Sequence, residues 1–407
     1  MWPVSRIIAV FVLIRVVLLA ARIDLLFTTQ WYTDFLHYFL LAKQADQGLL
    51  PFIHYWMEYP PIFPWLSTGV YLLSASVATG WGIELLYYTI IGLILVAAEA
   101  GVFVLIYKLS CLLWQSPAPT HSLLIYGLFF VPYYLWSGSF DTLPAFLLLA
   151  GLWLLLTGFT RTSAVVVAVG FCTKLFPIAL LPIAFCTIAG WQKKFAYLFT
   201  FSLTAAALFL PLILIGPEMM LASLHVLLSR PPWETVWALV QGTYGPGYVG
   251  PLAERTNPNY WTWSVQPDPE NWWMTGMFAV LFLAFCWKFW NTRDRYKVVA
   301  GAGFVLSFLM LTAQGYSPQY LIWLAPLIAV LFPNRFGIAY LVVFGLANLI
   351  EAPLYFGFFP AQHWLLFLAV AMRTACLGVV AVHCLTVSVG FGSRTRALPI
   401  ALRHLPD

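Results

Sequence analysis

The stretch Ile7–Phe27, "IIAVFVLIRVVLLAARIDLLF", decides the fold class. This apolar run has about 20 residues, the length that an α-helix needs to cross the hydrocarbon core of a bilayer. Over all 407 residues the chain is 62% hydrophobic and 9% charged, whereas soluble domains carry about 25% charged residues. Its mean hydropathy is +0.87. Continuous apolar runs favour helices over barrel strands, so the sequence predicts an all-α polytopic membrane protein.

Further apolar runs extend this prediction to about 12 transmembrane helices, some of them ambiguous. Segment 60–78 either spans the membrane or lies along its surface, and segment 162–190 is either one long helix or a hairpin around Thr173–Pro177. The predicted helices are 5–27, 60–78, 84–107, 121–136, 142–158, 162–190, 194–215, 273–291, 298–313, 318–333, 336–351 and 363–389.

Positively charged loops decide between these alternatives, because loops rich in Lys and Arg stay in the cytoplasm. If 60–78 lies on the surface and 162–190 is a hairpin, Lys108 and Arg161 both face the cytoplasm, so we adopt this topology. It makes both termini cytoplasmic, with Arg394, Arg396 and Arg403 inside, and it puts the polar loops on the extracytoplasmic face. Arg15 and Glu99 then lie at similar depth in adjacent helices, where they either form an ion pair or find separate partners.

The stretch Trp31–Trp65, "WYTDFLHYFLLAKQADQGLLPFIHYWMEYPPIFPW", lies within the first external loop. It concentrates titratable groups in a chain that otherwise avoids charge. Pro60 and Pro61 suit the first turn of a helix, where amide donors are unpaired. Asp34 either caps a short helix, keeps the loop hydrated or takes part in chemistry. The side chains of Asp34, His37, His54 and Glu58 are of types that bind zinc or manganese, but their spacing matches no established metal site.

Several motifs occur in an order that resembles a known family: "TDFLHY" with "EYPP", "FDTLPAFLLL", "TKLFPIALLPI", "SRPPWETVWAL" and "YSPQYLIWLAPLI". They look like the GT-C superfamily of membrane glycosyltransferases, most of all glycosyltransferase family 87, which includes polyprenol-phosphate-mannose-dependent mannosyltransferases. Many GT-C enzymes carry paired acids in the first external loop. Here Thr33 and Phe35 flank Asp34, so no metal cofactor is assigned.

The resemblance implies a GT-C fold with juxtamembrane helices in the first external loop. It also implies inverting transfer of a hexose, mannose in the family, from a polyprenyl-phosphate carrier to a hydroxyl of a lipid or glycan acceptor. The reaction would take place on the extracytoplasmic face of a bacterial plasma membrane, with Asp34 as the catalytic residue. Residues 1–407 would form one integral membrane domain, made of a catalytic part, 1–215, with first external loop 28–83, a long external loop, 216–272, and C-terminal helices, 273–407.

The chemistry of glycosyl transfer assigns roles to the charged residues. The acceptor hydroxyl must lose a proton, which the carboxylate of Asp34 can take; Glu58 is the reserve base or orients the acceptor. The leaving phosphate gains negative charge, which a cation stabilises. Lys174 lies in an apolar stretch, where it either meets this anion or snorkels to the interface. Arg230 and Arg255 rank after Lys174 as candidate hydrogen-bond donors to the phosphate.

The remaining candidate residues bind substrate in this interpretation, each with a structural alternative. The aromatic side chain of Trp233, four residues before Trp237, contacts either lipid or a sugar, and Asp141 either binds the sugar or caps the helix that starts at Thr142. The others are His37, His54, Tyr59, Tyr316 and Gln319, the last two of which are otherwise ordinary turn residues.

Two other classes of function remain open: a transporter or flippase of lipid-linked saccharides, and a non-catalytic membrane scaffold. A transporter places ionisable groups near the midplane, in broken helices of related halves, whereas here the polar groups cluster at one face and no repeat is visible. No glycine-rich loop for a nucleotide and no basic tract for nucleic acid occurs. The expected partners are therefore the lipid-linked donor, the acceptor and membrane lipids.

Overall fold

A computed structural model describes residues 3–28, 34–129, 139–247, 249–260 and 272–390. Some predicted features lie outside these residues: the end of the helix predicted at 121–136, the start of the "WSGSFD" turn, and the C-terminal Arg394, Arg396 and Arg403.

The described chain is built from helices. In chain order they are α1 Val4–Thr28, α2 Asp34–Ala42, α3 Ile62–Val77, α4 Trp81–Leu113, α5 Ala118–Phe129, α6 Thr142–Leu156, α7 Thr160–Thr173, α8 Leu180–Thr187, α9 Trp191–Ile215, α10 Pro217–Ser229, α11 Val236–Val240, α12 Trp272–Phe289, α13 Arg295–Thr312, α14 Leu321–Leu331, α15 Arg335–Leu349 and α16 His363–Val389. Short 3-10 helices are Lys43–Gln47, Phe176–Ala179, Leu252–Glu254 and Pro318–Tyr320, and a π-helix, Ile350–Phe358, continues α15.

The fold is all-α, as predicted. Within the described residues, β pairing is limited to the isolated bridges Pro51–Tyr55 and Trp233–Gly315. In the described part of the chain, six helical segments are long and apolar enough to cross a membrane, and shorter apolar helices of 10–17 residues lie between them. These features are those of a multi-pass membrane protein, while the count of about 12 spans stays a prediction.

A buried ion pair joins the first transmembrane helix to the longest one. Arg15 Nε on α1 lies 3.2 Å from Glu99 Oε1 on α4, and both side chains are buried. The guanidinium also lies 3.7 Å from the centroid of the Phe11 ring. The predicted Arg15–Glu99 pair is thus confirmed, and it compensates two charges that would each be costly in lipid.

The segment 162–190 is a hairpin, as adopted above. α7 ends at Thr173, and Lys174 is extended, with φ −157° and ψ 144°. After this break the chain folds back, because Val167 before it and Leu180 after it both lie against Gly151 of α6. The hairpin presents Lys174 at its tip.

Helix α3 lies against the outer part of α4. The Ser67 hydroxyl is 2.7 Å from the Tyr87 hydroxyl, and the Tyr71 hydroxyl donates to Asp46 Oδ2 over 2.5 Å. Its 16 residues give a length of about 24 Å, less than the hydrocarbon core of about 30 Å. The helix in segment 60–78 is thus shorter than a full span, and its position at the membrane surface stays a prediction.

Two predicted loops contain helices. The segment predicted as the long external loop, 216–272, includes α10, which starts at Pro217 directly after Gly216, and the short α11. The segment from Glu351 to Phe358 continues α15 as a π-helix rather than forming a loop. The loop prediction was wrong there because Pro353 is accommodated by a change of helical register instead of ending the helix.

We predict that Arg15→Leu alone destabilises the protein and that Arg15→Leu combined with Glu99→Leu restores most of the loss. Removing one partner of a buried pair leaves an uncompensated charge and costs about 3–5 kcal/mol, whereas replacing both by apolar groups is close to neutral. Unfolding in detergent measures this, with the exposed Arg6→Leu as control. Equal stability of Arg15→Leu and Arg6→Leu would show that the pair contributes nothing.

Candidate functional site

The ends of several helices enclose a cavity of about 440 Å³, a volume typical of small-molecule sites. It lies between the first external loop, the tip of the α7–α8 hairpin, the end of α10 and the turn that follows α13. Residues far apart in sequence meet on its wall. The polar and aromatic ones include Glu58, Tyr59, Lys174, Arg230, Trp233 and Tyr320.

Lys174 is held in this wall by Asp141 and by aromatic rings. Its Nζ lies 2.7 Å from Asp141 Oδ1, and Trp323 Nε1 donates to the same oxygen over 2.6 Å. Only 8% of the surface of Lys174 is exposed, so its ammonium group does not snorkel to the interface. Its Nζ is 4.8–5.5 Å from the centroids of four rings, those of Tyr59, Phe140, Tyr320 and Trp323.

The carboxylate of Asp141 is therefore a partner of Lys174 and not a helix cap. Asp141 precedes α6, but its side chain makes no capping hydrogen bond. Ser139 Oγ donates to the second carboxylate oxygen of Asp141. Both oxygens therefore have hydrogen-bond partners, which are Ser139, Lys174 and Trp323. The capping alternative failed because a buried ammonium at hydrogen-bond distance is a stronger partner than a neutral backbone amide.

Glu58 is the centre of a second buried network. Its Oε1 lies 2.9 Å from His37 Nε2, and its Oε2 accepts from Arg255 Nη1. The Arg255 guanidinium stacks on Trp56 at 4.1 Å. Burial alone would raise the pKa of Glu58, but the charge of Arg255 and the hydrogen bond from His37 outweigh it and lower the pKa below its usual range.

These contacts change the roles expected of Glu58 and Arg255. A general base must accept a proton readily near neutral pH, and a carboxylate with a lowered pKa and both oxygens engaged does so poorly. Glu58 is instead the link between α2, through His37, and the segment after α11, through Arg255. Arg255 does not line the cavity but supports its wall from behind.

Asp34 is the first residue of α2, one turn before His37. It is half-buried. Burial is the largest cause of the raised pKa of Tyr38 and Tyr59, a neighbouring group is the second, and the charge of Asp34 is the third. Since Tyr59 lines the cavity, the Asp34 carboxylate lies within electrostatic range of the wall. An aromatic cluster fixes α2: the Tyr38 ring packs edge-on against Phe63 and Phe140, which stack on each other at 3.8 Å.

Arg230 and Trp233 form another part of the wall. The Arg230 guanidinium lies 4.1 Å from the Trp233 ring. The Trp233 backbone pairs with the turn after α13, accepting from the Tyr316 amide and donating to the Gln314 carbonyl. The ring covers Gly315, where an added Cβ would come within 2.1 Å of it.

Trp233 and Trp237 do not share a helical face, because α11 starts only at Val236. Glu234, which lies between them, has a positive φ of 53°, and this backbone conformation interrupts any helix there. Trp233 therefore lies in an extended segment and reaches the cavity alone.

Five predicted site residues line this cavity: Glu58, Tyr59, Lys174, Arg230 and Trp233. Asp34, His37, Asp141 and Arg255 do not line it, and neither do the three that follow. His54 is exposed in a tight turn, where its Nδ1 accepts from the Leu50 amide over 2.9 Å. Tyr316 is buried beneath Arg373, 3.8 Å from the guanidinium. Gln319 lies in a 3-10 helix and does not line the cavity, which Tyr320 and Gln314 line instead.

Sequence reasoning missed Tyr320 and Trp323 on the cavity wall, and Glu234 and Arg373 behind it. The spacing of Tyr320 and Trp323, three residues apart at the start of α14, places both on one helical face and was a usable signal. For Glu234 and Arg373 the sequence offers no comparable pattern.

Comparison with protein-family models and with curated proteins finds no match to this chain. The resemblance described above rests on its motifs alone. Within the part of the chain that the structure describes, no three His, Cys, Asp or Glu side chains come together as a metal-binding group.

We predict that Glu58→Gln destabilises the protein more at neutral pH than in acid. A carboxyl whose folded pKa is lowered stabilises the fold fully above its unfolded pKa of about 4.3, and this contribution is lost as the pH falls. The difference in Tm between the wild type and Glu58→Gln should therefore shrink between about pH 5 and pH 3. The exposed Glu218→Gln is the control, and a pH-independent difference would contradict the ionised network.

We predict that Gly315→Ala disturbs the cavity wall, because the new methyl group collides with the Trp233 ring. Overpacking of this kind costs about 1–3 kcal/mol. Gly378→Ala is the matched control, since a Cβ at that helical position meets nothing within 4 Å. Thermal unfolding in detergent measures both; if the two variants have the same Tm, the contact of Trp233 with Gly315 is not tight.

Proposed function

We propose that the protein is an inverting glycosyltransferase that moves a hexose from a polyprenyl-phosphate carrier to an acceptor hydroxyl on the extracytoplasmic side. The observation that supports this most is the composition of the 440 Å³ cavity. It combines two cationic side chains, the carboxylate of Glu58, several aromatic rings and an apolar edge. Asp34 does not line the cavity, but its charge acts on Tyr59 in the cavity wall.

The apolar edge of the cavity suits a lipid-borne substrate. Leu175, Ile178 and Leu309 line the cavity, yet 37–40% of their surface is exposed. They lie at the tip of the α7–α8 hairpin and near the end of α13, among helices apolar enough for a membrane. A prenyl chain would enter between these side chains while its headgroup reaches the polar wall.

The cationic wall suits the phosphate of such a carrier. An ammonium has three N–H donors, and Asp141 accepts one from Lys174. Among the described residues the other two donors face aromatic rings and the cavity, where a phosphate oxygen can accept them. Arg230 adds a planar guanidinium, which matches phosphate geometry. The ion pair with Asp141 then orients Lys174 instead of removing it from the reaction.

In the proposed reaction, the acceptor oxygen attacks the anomeric carbon from the face opposite the phosphate. The new carbon–oxygen bond forms as the bond from that carbon to the phosphate oxygen breaks, and the electron pair leaves with polyprenyl phosphate. The proton of the acceptor hydroxyl passes to the carboxylate of Asp34. Lys174 and Arg230 stabilise the charge that grows on the phosphate. A single displacement inverts the anomeric configuration.

Aromatic rings provide the surface for the sugar itself. The Tyr320 and Trp323 rings stack at 4.0 Å, with Tyr59 and Trp233 elsewhere on the same wall. Aromatic side chains with polar tips combine apolar contact with hydrogen bonding, as a sugar ring requires. Mannose as the hexose rests on the resemblance alone.

We predict that Asp34→Asn loses transfer activity by about 10²–10⁴-fold, because the amide cannot accept the hydroxyl proton. The assay follows labelled mannose from polyprenyl-phosphate-mannose into a cell-envelope lipid extract. Asp46→Asn is the matched control: it makes the same change in the same loop, at an exposed carboxylate that accepts from Tyr71.

We expect Asp46→Asn to retain wild-type turnover and both variants to unfold at the wild-type temperature. Retained turnover in Asp34→Asn would remove Asp34 from the reaction.

A further inference from the structure

A second, smaller cavity of about 230 Å³ adjoins the first. Met310 lines both cavities, and the chain crosses from one to the other between Trp233, on the first, and Glu234, on the second. Its volume is far above the roughly 10–15 Å³ that one water molecule requires, and below that of the first cavity. It has room for a group of about the size of one sugar ring.

Buried polar groups converge on this second cavity. Glu234 Oε2 and the Tyr316 hydroxyl are buried and have no hydrogen-bond partner among the described residues. Both residues line the cavity, together with Arg373. Because buried polar groups are nearly always hydrogen-bonded in native proteins, these two atoms point to a ligand or ordered water that supplies their partners.

The backbone around Glu234 is held in an uncommon conformation. Its φ is +53°, a region that residues other than glycine adopt rarely. Arg373 Nη2 donates to the Glu234 carbonyl, and the Thr235 hydroxyl donates to the Gln314 carbonyl over 2.9 Å. Strained residues that neighbouring contacts hold in place cluster at functional sites, and here the strain presents the carboxyl group to the cavity.

The charges around the cavity favour a neutral ligand. Arg373 is paired with Glu351 and also lies on the Tyr316 ring at 3.8 Å. Because Glu351 and Arg373 compensate each other's charge, neither an anion nor a cation finds an unpaired opposite charge there. Burial, followed by the charge of Glu351, raises the pKa of Glu234 well above its usual value. A neutral carboxyl group both donates and accepts hydrogen bonds, as hydroxyl groups do.

We propose that this cavity binds a neutral, polyhydroxylated group of about one sugar ring, and, resting on the proposed transferase function, that this group belongs to the acceptor. The hydroxyl of Tyr316 and the carboxyl of Glu234 bond its hydroxyl groups, and Trp237 covers one face. The charge of Asp34 acts on both Tyr59 and Glu234, so the proposed base lies within electrostatic range of both cavities.

The test measures binding of methyl α-D-mannopyranoside and myo-inositol to the full chain in detergent, by calorimetry and without donor. Tyr316→Phe removes only the hydroxyl, and Thr374→Leu fills the cavity. We expect each to weaken binding at least tenfold. Tyr340→Phe is the matched control, because the Tyr340 hydroxyl on α15 lies 3.0 Å from His383 Nδ1 on α16 and does not line the cavity. We expect this variant to bind as the wild type does.

The inference is overturned if the wild type binds neither polyol, which would leave a water-filled cavity, or if it binds methylammonium or phosphate there instead. Wild-type affinity in both Tyr316→Phe and Thr374→Leu would also overturn it; if Thr374→Leu fails to fold, Tyr316→Phe decides. The assay contains no donor, so polyol binding without transfer would refute only the proposed function. Transfer by a protein that binds no polyol would refute only this inference.

Discussion

The buried carboxylate of Glu58 links two distant segments of the chain at the wall of the cavity. It bonds His37 of α2 and also Arg255, which lies 197 residues after Glu58 along the chain. A second pair, Lys174 with Asp141, joins the hairpin tip to the start of α6 and, through Trp323, to α14. A buried charge is tolerated only where it is paired and hydrogen-bonded. In a chain with so few charges, each pair therefore specifies which segments meet around the cavity.

This constraint also gives the cavity its chemical character. The pairs fix Lys174 and the start of α2 before any substrate arrives, and the aromatic cluster of Tyr38, Phe63 and Phe140 packs between them. Groups held in this way in a region poor in water stabilise developing charge without reorganising during the reaction. One cavity is lined by Lys174 and Arg230, and the adjoining one by Tyr316, Glu234 and Arg373, whose charge Glu351 compensates. In the proposal they correspond to a charged donor and an uncharged acceptor.

The sequence predicted those features that local pattern and charge control. Long apolar runs predicted the helices, and the distribution of Lys and Arg led to the hairpin at Lys174 and to the pair of Arg15 with Glu99. The contacts inside the site were beyond such patterns, because Lys174–Asp141 and Arg255–Glu58 depend on how distant segments fold together. The break between Trp233 and Trp237 was also beyond local pattern, because it depends on the positive φ of Glu234 and on the backbone pairing of Trp233 with the turn after α13.

The most direct test of the proposed function uses the purified wild-type protein in liposomes loaded with polyprenyl-phosphate-mannose and a cell-envelope lipid extract. Mass spectrometry of the lipids would follow the donor, free polyprenyl phosphate and mannosylated products over time. A transferase releases one polyprenyl phosphate for each mannose that appears on an acceptor. An intact donor that only exchanges between the two leaflets would contradict the proposal and identify a flippase instead.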